Sequence, residues 1–181
     1  MGPPGVGKGT QAKILSDKLK ILHLSTGEIL RNEIAKKTKI GKTAKSFIDH
    51  GKLVPDGIIL DIITEKTLDK QSNDGYLLDG FPRTIPQATG FDKILYKMGH
   101  KLNIAINLIA EEHELINRII DRGKISGRSD DTLKIIKERQ KIYWEQTSPL
   151  IDFYNKKNIL KNINGIGKIE EITERILQVI K

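Results

Sequence analysis

The stretch GPPGVGKGT, residues 2–10, decides the fold. Gly2, Gly7 and Lys8 meet the pattern G-x-x-x-x-G-K. Gly9 stands where the general pattern has Ser or Thr, and Thr10 supplies a hydroxyl one position later. Glycines suit this chemistry because, lacking a Cβ, they let backbone amides turn inward and ring a phosphate. A helix reading from Lys8 onward aims its N-terminal partial positive charge at the same point. Lys8 adds a mobile point charge for the outer phosphates. This loop binds nucleotide phosphate, whatever reaction follows.

Outward from the loop, helical and strand-like segments alternate. Residues 8–20 read as a helix and ILHLS (21–25) as a short strand. Helices follow at 27–37, 41–50 and 56–69, the last with Ile59, Ile62, Ile63 and Thr64 at apolar positions. YLLDG (76–80) reads as a buried strand, 85–98 as a helix and LNIAINLIA (102–110) as the longest strand. The remaining chain predicts helices at 111–122 and 131–155, a strand near 159–163 and an amphipathic helix at 168–181. Strands alternating with helices predict an α/β architecture, a parallel sheet covered on both faces.

The 181 residues suffice for one domain with a real core, and 38% hydrophobic with 30% charged residues is ordinary for a globular protein. The absence of cysteine excludes disulfides, thiol catalysis and cysteine-ligated zinc. No apolar run approaches the roughly 18 residues of a membrane span, and no signal-peptide pattern opens the chain, so a cytoplasmic protein is expected. The net charge of +8 comes from 24 Lys and only 7 Arg, alongside 30 Ile. This is a drift spread over the whole chain. A nucleic-acid binder concentrates its charge on one face, with aromatics interleaved, and only 5% of these residues are aromatic. No nucleic-acid partner is expected.

In a chain so poor in Arg, the seven positions are informative: Arg31, Arg83, Arg118, Arg122, Arg128, Arg139 and Arg175. Arg grips phosphate through a planar fork that Lys cannot reproduce. Arg118 and Arg122 lie four apart, on one helix face. RGKISGRSDD (122–131) suits a small flap with glycine hinges, or an ordinary helix connection. Arg175, in the amphipathic last helix, reads as a surface ion-pairing residue. His23, His50, His100 and His113 show no ligand spacing and read as surface or packing residues.

Six blocks together resemble the adenylate kinase family of nucleoside monophosphate kinases: GPPGVGKGT (2–10), LSTGEILR (24–31), GKLVPD (51–56), YLLDGFPRTIPQA (76–88), DRGKISGRSDD (121–131) and TSPLIDFY (147–154). The resemblance implies a P-loop three-layer α/β/α fold with a five-strand parallel sheet, in a single domain over 1–181. It also implies a helical monophosphate-binding excursion over 25–54 and a short lid over 121–131. The implied reaction is reversible phosphoryl transfer from Mg-ATP to AMP, giving two ADP, by a monomer. Carried across by motif, Gly5, Val6, Gly7, Lys8, Gly9 and Thr10 wrap the ATP phosphates, with Arg118, Arg122 and Gly167 on the same side. Thr26, Arg31, Lys52, Leu53, Val54, Gly80, Phe81, Pro82, Arg83 and Gln87 hold AMP, and Arg128 and Arg139 close on the phosphates from the lid side. Lys8, Arg83, Arg118, Arg122, Arg128 and Arg139 are then the catalytic charges.

AMP's phosphate is already ionised near neutral pH, so the attack needs no general base, only positioning and charge. Asp79, ending an apolar strand run, is placed to orient Mg²⁺ through water, or simply terminates the strand. The short lid and absent cysteines predict no structural zinc. Thr26 and Gln87 favour AMP over UMP or CMP as acceptor. The alternatives are a UMP/CMP kinase and a truncated chain that is inactive or only binds nucleotide.

One departure stands out. The family places an apolar strand directly before the glycine loop, and this chain has only Met1 there. About five apolar residues at roughly 1.5–3 kcal/mol each represent about 8–15 kcal/mol of burial, comparable with the whole stability of a domain. The expectation is therefore two neighbouring strands without a partner, a poorly stable chain, and either a start internal to the true one or a decaying gene.

Overall fold

The computed structural model describes residues 1–68, 75–111, 114–119 and 132–180. Helix α1 (Lys8–Leu19) begins where Gly7 turns left-handed at φ 94° and ends on Lys20 in the same conformation. Strand β1 (Leu22–Ser25) runs directly into α2 (Thr26–Ala35). Thr38 then caps α3 (Lys39–Ile48) by accepting from the Gly41 N–H. α2 and α3 meet so closely that a Cβ on Gly41 would lie 2.1 Å from the Glu33 carbonyl oxygen. Helix α4 (Asp56–Thr67), strand β2 (Tyr76–Asp79) and helix α5 (Ile85–Met98) follow. Beyond them come β3 (Ala105–Ile109), the helical residues 114–119 (α6), α7 (Leu133–Ile142), α8 (Pro149–Lys156), β4 (Leu160–Asn164) and α9 (Ile169–Ile180).

The expected α/β architecture is present, with shorter strands than the apolar runs suggest. Among the described residues the strands form two parallel pairs, β1 with β2 and β3 with β4. Their side chains alternate between two cores. Leu108 and Ile163 meet Val6, Leu15, Ile172 and Ile176 on one face. On the other, Ala105 packs with Ala88, Leu150 and Tyr154, and Tyr76 and Leu78 pack against α4 and α5. Burial on both faces is what a parallel sheet requires.

Between β2 and β3 the sheet is interrupted. The Met1 α-amine donates to the Ile106 carbonyl, and the Met1 carbonyl accepts from the Leu108 N–H at 3.0 Å. This is the slanted pattern of a parallel pair opposite Asn107. Met1 thus fills one residue of a strand position. The rest of that position opens into a cavity of about 1360 Å³, which is continuous with the glycine loop and walled by Tyr76, Leu78, Leu95, Ile104 and Tyr154. Burial pushes the Met1 amine down to about pKa 5, with Lys8 adding to the effect.

Three expectations need correction. The single helix over 131–155 is broken into α7, a π turn over Tyr143–Thr147 and α8. Pro149 has no N–H to donate backwards, and the chain widens ahead of it, with the Ser148 N–H reaching the Tyr143 carbonyl five residues away at 2.8 Å. The strand over 102–110 pairs only at 105–109, the length its partner β4 offers. In α4 the buried position is Thr67 rather than Thr64, which is half-buried. The lid at 121–131 lies outside the described residues, as do Arg122, Arg128 and His113.

Candidate functional site

The glycine loop is built by steric exclusion. Gly5 sits at φ 87°, and a Cβ there would lie 2.6 Å from the Leu115 carbonyl oxygen. Only glycine fits a backbone that is both left-handed and this close to α6. Val6 between the glycines is buried in the core and anchors the loop from below. Lys8 Nζ donates to the carbonyls of Gly2 at 2.7 Å and Pro3 at 2.8 Å, which holds the ammonium inside the loop it serves. Gly9 and Thr10 are exposed at the start of α1.

Arg31, Arg83, Arg118 and Arg139 all line the cavity that contains the loop and Lys8. They come from α2, the β2–α5 connection, α6 and α7. Three lie over a glycine that makes room for them. A Cβ on Gly27 would meet the Arg31 guanidinium at 3.2 Å, one on Gly80 the Arg83 guanidinium at 3.0 Å, and one on Gly51 the Arg139 stem at 3.2 Å. Arg83 Nε also donates to the Gly80 carbonyl at 2.8 Å. Arg118 is held by Glu114 at 3.1 Å and donates to the Gly165 carbonyl at 3.2 Å. Arg175 stands apart, donating to the carbonyls of Asn164 and Ile166 and so bracing the turn that carries Gly167. Its role there is structural.

Asp79 ends β2 with its side chain 14% exposed. Ser25 Oγ donates to Asp79 Oδ2 at 3.3 Å, and His23 Nε2 lies 3.8 Å from the same oxygen. Burial alone would raise the Asp79 pKa, but His23, Lys8 and Arg83 outweigh it and hold it below the ordinary carboxylate value. The Asp79 carboxylate in turn raises the pKa of His23. His23, read from the sequence as a surface or packing residue, is packed with its ring facing the Asp79 carboxylate. His23 and Ser25 share one face of β1, and the pairing of Ser25 in register with Asp79 brings the three together.

Of the other predicted acceptor residues, Leu53, Gly80, Phe81 and Pro82 line the cavity, and Thr26, Lys52, Val54 and Gln87 lie outside its lining. Thr26 Oγ1 donates to the Gly80 carbonyl at 2.9 Å. Val54 and Phe81 also belong to the core packed against α4 and α5. Lys52 is exposed, and Gln87 is 2% exposed in a hydrogen-bonded cluster with Asp56. The Asp79 carboxylate, with Ser25 Oγ bonded to it and Gly9 beside it, presents hard oxygen of the kind a hydrated Mg²⁺ takes. Among the described residues no group of three His, Cys, Asp or Glu could hold a metal ion directly. None of the described helices is long and apolar enough to cross a membrane.

A cavity that gathers a phosphate loop at one wall and arginines from four separate elements can neutralise phosphates arriving on two nucleotides at once. That is the working arrangement of a nucleoside monophosphate kinase. A family model described as "Adenylate kinase" matches residues 1–159. The chain is 42% identical over 181 residues to an adenylate kinase of Thermobifida fusca, covering 100% of this chain and 96% of that protein. It is 45% identical over 179 residues to one of Porphyromonas gingivalis, covering 99% and 92%. A further adenylate kinase, from Leptospira biflexa, is 44% identical over 180 residues, covering 99% and 97%. The chain belongs to the adenylate kinase family.

Proposed function

We propose that this enzyme reversibly transfers the terminal phosphoryl group of Mg-ATP to AMP, giving two ADP. The observation that carries the reading is the convergence of Lys8, Arg31, Arg83, Arg118 and Arg139 on one cavity. An oxygen of the AMP phosphate attacks the γ-phosphorus, the bond from that phosphorus to the β–γ bridging oxygen breaks, and the leaving ADP keeps the electron pair. No proton has to be removed, which accords with a site whose described residues gather cations and place no general base. Lys8 and the amides of residues 5–10 hold the donor, joined by Arg118, Gly167 and Arg122. Arg31, Arg83, Arg128 and Arg139 hold the acceptor phosphate, with Thr26, 52–54 and 80–82 shaping its pocket and Gln87 at its base. Mg²⁺, when bound, supplies charge neutralisation across the donor phosphates, and Asp79 with its Ser25 hydrogen bond would hold its water shell.

In this reading 25–54 is the acceptor-binding excursion and 121–131 the lid, each closing to exclude water from the transfer. A cytoplasmic monomer acting on free nucleotides is its simplest form, with no zinc, membrane or nucleic acid required. The test is ADP formation from Mg-ATP with AMP, UMP and CMP at matched concentrations. AMP should give the highest kcat/KM by at least about tenfold, in line with a site built to hydrogen-bond one base. Equal or greater turnover with UMP or CMP would make this a pyrimidine monophosphate kinase.

A further inference from the structure

Asp56 is absent from the residues assigned above, yet it closes a tight cluster with the base-reading residue. Gln87 Nε2 donates to Asp56 Oδ1 at 2.7 Å, and Gln87 Oε1 accepts from the Arg83 backbone N–H at 2.7 Å. Thr84 Oγ1 donates to the same Asp56 oxygen at 3.1 Å while accepting from the Gln87 N–H at 3.2 Å, as the cap of α5. Asp56 itself opens α4, where the helix N-terminus favours a carboxylate.

These partners fix which way the Gln87 amide points. A backbone N–H can only donate and a carboxylate can only accept. Turning the amide over would set Nε2 against the Arg83 N–H and Oε1 against Asp56 Oδ1. Two mismatched polar pairs would result, in a side chain only 2% exposed. The amide so held has one N–H and one lone pair left over, in a fixed order. That order matters because purine edges come in two polarities. Adenine presents a donor at N6 and an acceptor at N1. Hypoxanthine has the same outline with an acceptor at O6 and a donor at N1. An amide free to turn over matches both bases, and a clamped one matches a single polarity.

We infer that Asp56 is a positioning residue for acceptor specificity: by clamping the Gln87 amide it makes the site read adenine and reject a 6-oxopurine of the same shape. The inference rests on the proposed contact between Gln87 and the acceptor base. The experiment compares kcat/KM for AMP and for inosine monophosphate in the parent, Asp56→Asn and Gln87→Ala enzymes, with KM for ATP and the melting temperature recorded alongside. An asparagine can donate or accept, so Asp56→Asn removes one of the two mismatches that turning the amide creates and leaves only the Arg83 N–H to oppose it. The AMP-to-IMP ratio should fall by about tenfold or more, with KM for ATP unchanged. Gln87→Ala should collapse the same ratio. Should Asp56→Asn fail to fold, Thr84→Ala, which takes one of the two donors from Asp56, serves instead and should lower the ratio by a smaller factor. A ratio unchanged in the Asp56 or Thr84 variant but collapsed in Gln87→Ala overturns the clamp alone. A ratio unchanged in Gln87→Ala overturns both the clamp and the base contact beneath it.

Discussion

Replacing Lys8 with methionine lowers kcat for ADP formation from Mg-ATP and AMP by about 10²–10³-fold, the scale of removing one preorganised charge-stabilising donor. Methionine keeps the length of the side chain and deletes only the ammonium. In the free enzyme that ammonium is already inside the loop, bonded to the Gly2 and Pro3 carbonyls, so little reorganisation precedes reaction. Charge builds on the γ-phosphoryl oxygens as transfer proceeds, and a fixed cation there acts more on the transition state than on bound ATP. KM for ATP should therefore change much less than kcat. Lys13, exposed further along α1, serves as the control, and its replacement by methionine should leave both constants near the parent values. Steady-state kinetics of the two variants decide it. A Lys8→Met enzyme within threefold of the parent would remove Lys8 from the machinery.

The second large effect concerns stability. In the chain that begins at Met1, joining five residues drawn from Ile, Val and Leu directly ahead of it should raise the melting temperature by about 5–20 °C. The gap between β2 and β3 already pairs Met1 in parallel register with β3, and the cavity beyond it is apolar on both walls. An added strand would satisfy the facing edges of β2 and β3, bury its own side chains, and convert the buried amine into a neutral amide. Full burial of five such residues is about 8–15 kcal/mol. Realising about a third of that, at roughly 2–4 °C per kcal/mol for a chain of this size, gives the stated shift. An extension of five Ser and Gly residues makes the same amide but buries no apolar side chains, so it should raise the melting temperature by far less. Equal melting temperatures for the apolar and polar extensions would show that the gap does not accept a strand.

How far the sequence could be read depended on the range of the physics involved. Helix α5 was legible to the residue because its signals are local: Thr84 caps it, Pro86 opens it and Gly99 ends it in a left-handed turn. The glycine loop was legible for the same reason. The arginines could be picked out because a Lys-rich chain keeps few of them, and Arg31, Arg83, Arg118 and Arg139 do share one cavity. Strand lengths are not legible in this way, because a partner, not apolarity, decides where pairing stops, as β4 does for β3. The break between α7 and α8 was missed because apolar periodicity runs on through a π turn. The His23–Ser25–Asp79 and Asp56–Gln87–Arg83 groups were invisible for a different reason. They exist only after β1 pairs with β2 and α4 packs on α5, which joins residues some 30 to 55 positions apart. Long-range register made those contacts, and no local pattern announces it.

The most direct test of the central claim follows the phosphoryl group itself. With ATP labelled at the γ-phosphate, unlabelled AMP and Mg²⁺, the label should appear at the β-position of ADP, and its rate of appearance should match the consumption of AMP. Label released only as inorganic phosphate would mean that the site delivers the group to water, and phosphoryl transfer to AMP would be contradicted.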